Sequence, residues 1–185
     1  MEACDAPLPN LSLKPMDIEN DDALAGIGKL HRVMIWGGQQ EQEKELHWGL
    51  PSRDPEIFQV PLLKSETAII DRPCLLLANE FGLVRRGKTV YAASLITDEP
   101  FFCIAGVWRP GNQAWPDSFA ALTVPAYPDL APHKNRHVAV VDPDDWFDWL
   151  MAARPPLDIL KPFPEGSFSI MPPIQHNFDE LLGAA

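Results

Sequence analysis

The run Phe101-Phe102-Cys103-Ile104-Ala105-Gly106-Val107-Trp108 constrains the fold of this chain more than any other stretch. It has no polar alternation, and it falls far short of the roughly 18 apolar residues that cross a membrane. It therefore reads as a strand buried on both faces, which needs neighbours on either side. The sequence supplies them. Leu30 to Trp36 is a strand, followed by Gly37-Gly38, a polar loop through Glu43, and a return at Glu45 to Gly49 that makes a hairpin. Cys74 to Phe81 and Thr89 to Leu95 flank a turn at Arg85-Arg86-Gly87-Lys88, and Phe119 to Val124 and Val138 to Val141 complete the set. Residues 51–61 form a Pro-rich connection around Ile57-Phe58.

Twenty prolines in 185 residues favour short elements over long helices. The clearest helix start is Asp142-Pro143-Asp144-Asp145: Asp142 can cap, Pro143 suits the first helical position, and acids favour the N-terminal dipole. Trp146, Trp149 and Leu150 then share one face, Pro155-Pro156 ends the helix, and the tail from Leu157 reads as an extended strap. The expected fold is one β-rich α+β domain of mostly antiparallel strands with a few short helices. An acidic arm (1–28, with a helix start at Asn20 to Ala25) precedes the domain (29–170), and a C-terminal tail (171–185) follows it.

The acidic N-terminus has no apolar signal segment, so a cytoplasmic protein with no membrane association is expected. Three cysteines without a CxxC spacing make neither a disulfide framework nor a zinc site, so no metal and no cofactor is expected. Cys74 and Cys103, inside apolar strands, read as buried thiols.

The formal net charge of −11 repels nucleic acid at long range, so DNA binding requires a local basic groove. Two segments offer one: Arg85-Arg86-Gly87-Lys88 and His133-Lys134-Asn135-Arg136-His137, though each reads first as a turn of solvated charges. His133, beside Lys134 and Arg136, is either a surface histidine or a general base kept neutral by the neighbouring cations. Cys4 would offer adjacent amine and thiol groups to an aldehyde only after removal of Met1, Glu2 and Ala3; otherwise it is an inert thiol. Trp36, Trp48, Trp108 and Trp115 read as base-stacking platforms or as core.

Taken in order, these strings resemble the SRAP family (SOS response-associated peptidases), proteins that capture abasic sites in single-stranded DNA. The family's "RWGLVP" is similar to His47 to Pro51, and "RCLIPADGFYEW" to Arg72 to Val84 with one inserted proline. "FAGLW" is similar to Ile104 to Trp108, and "HPKRMPVIL" to His133 to Val141 in register. The acid-started helix matches Asp142 to Leu150, and "RPLPDGSLRIV" is echoed by Lys161 to Ile170. The resemblance implies a β-rich α+β domain with a basic groove for single-stranded DNA.

The family's active-site positions are largely altered. Its cysteine follows the initiator methionine, where this chain has Glu2; its glutamate falls on Leu83, with Glu80 three residues earlier. Its "NARAET" falls on Leu62-Leu63-Lys64-Ser65-Glu66-Thr67, so the asparagine becomes Leu62 and the arginine Lys64. His133 alone remains of that set. The expectation is a DNA-damage-associated protein that binds single-stranded DNA through Lys64, Arg85, Arg86, Lys88, Lys134, Arg136 and Trp48, with His133, and Cys4 once processed, as the catalytic candidates. The alternative is a catalytically inactive scaffold of the same fold that acts through a protein partner.

Overall fold

In the computed structural model of the chain, residues 28–52, 59–85 and 88–171 are described, the side chains of 84–90 excepted. The elements are β1 (Leu30–Trp36), β2 (Glu41–Trp48), β3 (Leu50–Pro51), β4 (Gln59–Val60), β5 (Leu62–Lys64), β6 (Pro73–Ala78), β7 (Phe81–Arg85), β8 (Lys88–Leu95), β9 (Phe102–Arg109) and β10 (Ser118–Pro125). They continue with β11 (Arg136–Val138), β12 (Val140–Val141), a 3-10 turn (Pro143–Asp145), α1 (Trp146–Leu150), α2 (Pro156–Ile159) and β13 (Phe168–Met171). This is the expected α+β, β-rich architecture with a few short helices.

The apolar run becomes β9, which pairs antiparallel with β6, β10 and β12. β6 pairs with β1, β1 with β2, and β2 with β10, which returns to β9. These five pairings form a closed ring, so each strand of the barrel has a partner on both sides. One seam is parallel: Ser118 and Phe119 of β10 lie beside His47 and Trp48 of β2. β5 also runs parallel to β10, from Ala121↔Leu62 to Thr123↔Lys64, and β11 continues antiparallel beyond it. A second sheet, β13-β8-β7, stands against the end of β6, where Phe81 meets Phe102.

Every side chain of β6 is buried. The helix α1 covers part of it: Trp149 is 2% exposed and its Nε1 donates to the Cys74 carbonyl at 2.9 Å. Trp146 Nε1 likewise donates to the Val141 carbonyl, so both buried indoles have their polar atom satisfied. Gly106 of β9 faces this packing closely. A Cβ there would lie 2.8 Å from Leu76 Cδ1 and 2.9 Å from Cys74 Sγ, which only glycine avoids. Cys74 and Cys103 are buried thiols, and burial pushes both thiol pKa values up.

Asp142 caps as read, its Oδ1 accepting the Asp144 N–H. Four details differ from the sequence reading. β2 begins at Glu41, so the polar stretch before Glu45 is an exposed extension of the hairpin. The Cys74 to Phe81 run breaks at Asn79-Glu80 to change sheets, and Val138 to Val141 divides at Ala139, whose N–H bonds Leu122 while its carbonyl accepts from Ala105. The helix ends at Leu150, two residues ahead of Ala152 in a left-handed conformation (φ 50°), and Pro156 instead opens α2. The presumed strap thus holds α2 and β13. The acidic arm, Ile57-Phe58 and residues 172–185 lie outside the described residues. Among the described residues no helix is long and apolar enough to cross a membrane.

Candidate nucleic-acid interface

His133 lies in the 126–135 loop between β10 and β11. The loop is knitted by its own backbone: Ala126 N–H bonds the Asn135 carbonyl, Leu130 and Ala131 N–H bond the Tyr127 carbonyl, and His133 and Lys134 N–H bond the Leu130 carbonyl. Leu130 and Tyr127 are buried beneath it. Asp129 ties it to the chain entering β13, accepting N–H bonds from Gly166 and Phe168; these bonds hold its carboxyl below its ordinary pKa. What the loop leaves outside is His133, exposed, with Lys134 half-buried.

The His133 ring packs on Tyr91 of β8, with centroids 4.7 Å apart and planes at 60°. Tyr91 pairs with Leu83 across the β7–β8 hairpin, whose strands end at Arg85 and Lys88. The contact therefore sets the loop carrying Lys134 beside the hairpin carrying the other basic segment. Among the described residues the His133 ring has no hydrogen-bond partner. Arg86 and Cys4, and the side chains of Arg85 and Lys88, lie outside the described residues.

Arg136 is engaged. Its Nη1 and Nη2 each donate to Glu66 at 2.8 Å, a two-pronged pairing across 70 residues of sequence. Its Nη2 also donates to the Thr123 carbonyl at 2.7 Å and its Nε to Thr123 Oγ1 at 3.3 Å. The bonds from Arg136 pull the Glu66 carboxyl down to a pKa of about 2. Lys64 sits exposed in the same turn, opposite Thr123, and its carbonyl accepts from Thr67 and Ala68.

His137 points inward, 5% exposed. Its ring lies against Tyr127 (4.2 Å), Phe81 (5.9 Å) and Phe168 (6.3 Å). Nδ1 is 2.6 Å from the Val138 carbonyl, and Nε2 accepts the Tyr127 N–H at 3.1 Å. Burial lowers its pKa to about 4, with Arg136 acting in the same direction.

Trp48 departs from the DNA-contact expectation: it is 8% exposed, stacks on Phe119, and its Nε1 donates to the Pro61 carbonyl. A ring packed on its faces and satisfied at its nitrogen has no surface for a base. Leu83 is 1% exposed, a core residue with no proton to move. The sequence reading missed Glu66, Tyr91 and the inward turn of His137. Only the last left a local signal, the apolar run Val138 to Val141 that begins beside it.

No family model matches the chain, and no curated protein matches it. Its fold is similar to the crystal structure of a Bacteroides thetaiotaomicron protein solved by structural genomics, at 17% identity and a TM-score of 0.57. The likeness covers 77% of this chain and 73% of that one.

Proposed function

We propose that this chain is an SRAP-like protein that associates with single-stranded DNA, abasic sites included, through the rim formed by the 126–136 segment, the turn at Lys64 and the β7–β8 hairpin, without covalent capture. The observation that carries the reading is the packing of His133 on Tyr91, which sets the loop of Lys134 against strand β8, far from it in sequence. Glu66 and Arg136, each within a string that resembles the family, meet directly, which favours the resemblance over chance. The buried Leu83 in the glutamate's place supports the absence of covalent chemistry.

The second reading, an inactive scaffold acting through a protein partner, draws on the charge of −11 and on the capture of Arg136 by Glu66. Titration of labelled single-stranded DNA between low and moderate salt separates the two. Expected is binding at low salt whose logarithm falls linearly with log salt, by about 0.7 per phosphate engaged, and a smaller slope in Lys134→Ala. No binding at low salt overturns the DNA reading in favour of the scaffold. With an abasic oligonucleotide, a band surviving a denaturing gel would overturn the non-covalent part.

A further inference from the structure

We propose that His137 is a positioning residue and an acid-sensitive latch: when its imidazole takes a proton, the Tyr127 end of the 126–135 loop is released and His133 leaves Tyr91. The inference concerns the protein alone and holds whether or not DNA is the ligand.

The two ring nitrogens face opposite requirements. The Val138 carbonyl at 2.6 Å can only accept, so Nδ1 carries the proton; the Tyr127 N–H at 3.1 Å can only donate, so Nε2 carries none. The neutral Nδ1–H form alone satisfies both. A proton added at Nε2 sets one N–H against another and places a full charge in an aromatic enclosure.

The Val138 carbonyl favours the protonated ring, but burial outweighs it and the other neighbours offer no countercharge. β10 faces the ring with Val124, its strand partner, β7 with Phe81 and β13 with Phe168. The loop presents the Tyr127 phenol, whose pKa burial raises, so it stays neutral. The nearest charge is Arg136 on the same strand, which opposes a second cation. Glu66 is held by the Arg136 fork and Asp129 by the Gly166 and Phe168 N–H groups, while Glu80 is the half-buried residue before Phe81. Among the described residues no carboxylate bonds the ring. The imidazolium is therefore better solvated in the released state, and protonation shifts the population toward it. The Gly166 and Phe168 N–H bonds hold the Asp129 carboxyl below its ordinary pKa and anchor the far side of the loop, so the opening is local.

The test is a pH titration from 7.5 to 4 of isotope-labelled full chain by NMR, following the His137 ring nitrogens, the Tyr127 amide and the His133 ring. Expected is a single coincident transition: His137 gains its proton, the Tyr127 amide loses at least about tenfold of its protection from exchange, the equivalent of one buried hydrogen bond, and His133 loses the ring-current shift from Tyr91. In His137→Gln, Oε1 stands where Nε2 was and still accepts from Tyr127, so the loop stays closed throughout. Opening of His137→Gln at the wild-type pH would assign the step to carboxylates and overturn the proposal. So would a wild-type ring that stays neutral while the loop opens, or a loop that remains closed with the ring protonated or at pH 4. If His137→Gln does not fold, the wild-type titrations decide by themselves.

Discussion

Along β6 and from Phe102 to Val107 of β9 every side chain is buried and the strands are locked by continuous backbone pairing. On the rim, between Tyr127 and Val138, side-chain bonds add to the loop's own backbone bonds and the short β10–β11 pairing: Nε2 of His137 to one amide, the fork of Arg136 to Glu66, and Asp129 to two N–H groups. The wall answers to volume, the rim to protonation and charge. His133 and His137, four positions apart, show the division at its sharpest. One is exposed on an aromatic ring; the other is enclosed by several.

The largest way to break the wall is Trp149→Ala, which removes a large buried ring and leaves the Cys74 carbonyl without its donor. A loss of about 4 kcal/mol in urea unfolding is expected, with no change in the pH response of the rim. Acid is the largest lever on the rim. The folded-state pKa of His137, about 4, lies below its ordinary 6.5, so the unfolded or released chain takes up the proton first. Stability from this group is complete above pH 6.5 and declines as pH falls toward 4, by up to about 3 kcal/mol. Unfolding curves of wild type and His137→Gln at pH 7 and 4.5 measure it, the variant showing the smaller decline.

A smaller loss, about 2 kcal/mol, is expected for Gly106→Val, whose added methyls meet Leu76, Cys74 and the Ala120 carbonyl; thermal melts read it. Smallest of all is Glu66→Gln. An exposed ion pair contributes little to stability, so the melting temperature barely moves, while the freed Arg136 fork raises affinity for single-stranded DNA a few-fold at low salt. An unchanged affinity would mean that Arg136 is a structural tie and not a phosphate contact.

The wall was largely legible in the sequence because its signals are local. An apolar run from Phe101 to Trp108 has few alternatives to a central strand, and Asp142-Pro143 announces its turn by chemistry within three residues. Closure of the barrel was not legible: the parallel seam of Ser118 beside His47 has no turn to announce it. Ala139 interrupts its strand because its N–H and carbonyl serve Leu122 and Ala105 on different neighbours, a demand no local pattern records. The candidate site was legible as a set of cations and not as an arrangement. Arg136 looks available until Glu66 arrives from 70 residues away, and Trp48 looks like a platform until Phe119 and Pro61 are beside it.

One strand, β10, pairs with β9, β2, β5 and β11. On the ribosome this makes its synthesis a threshold. A nascent chain halted before Ser118 already carries the sequences of β2, β5 and β9, each with an edge that nothing earlier in the chain occupies, and such edges invite pairing between molecules. Closure comes late and in one step, when eight residues enter the gap between strands made long before. Interrupted or slowed translation just ahead of that segment is therefore the point of greatest exposure to chaperones and proteases, and a nick there would separate two halves neither of which can finish its own barrel.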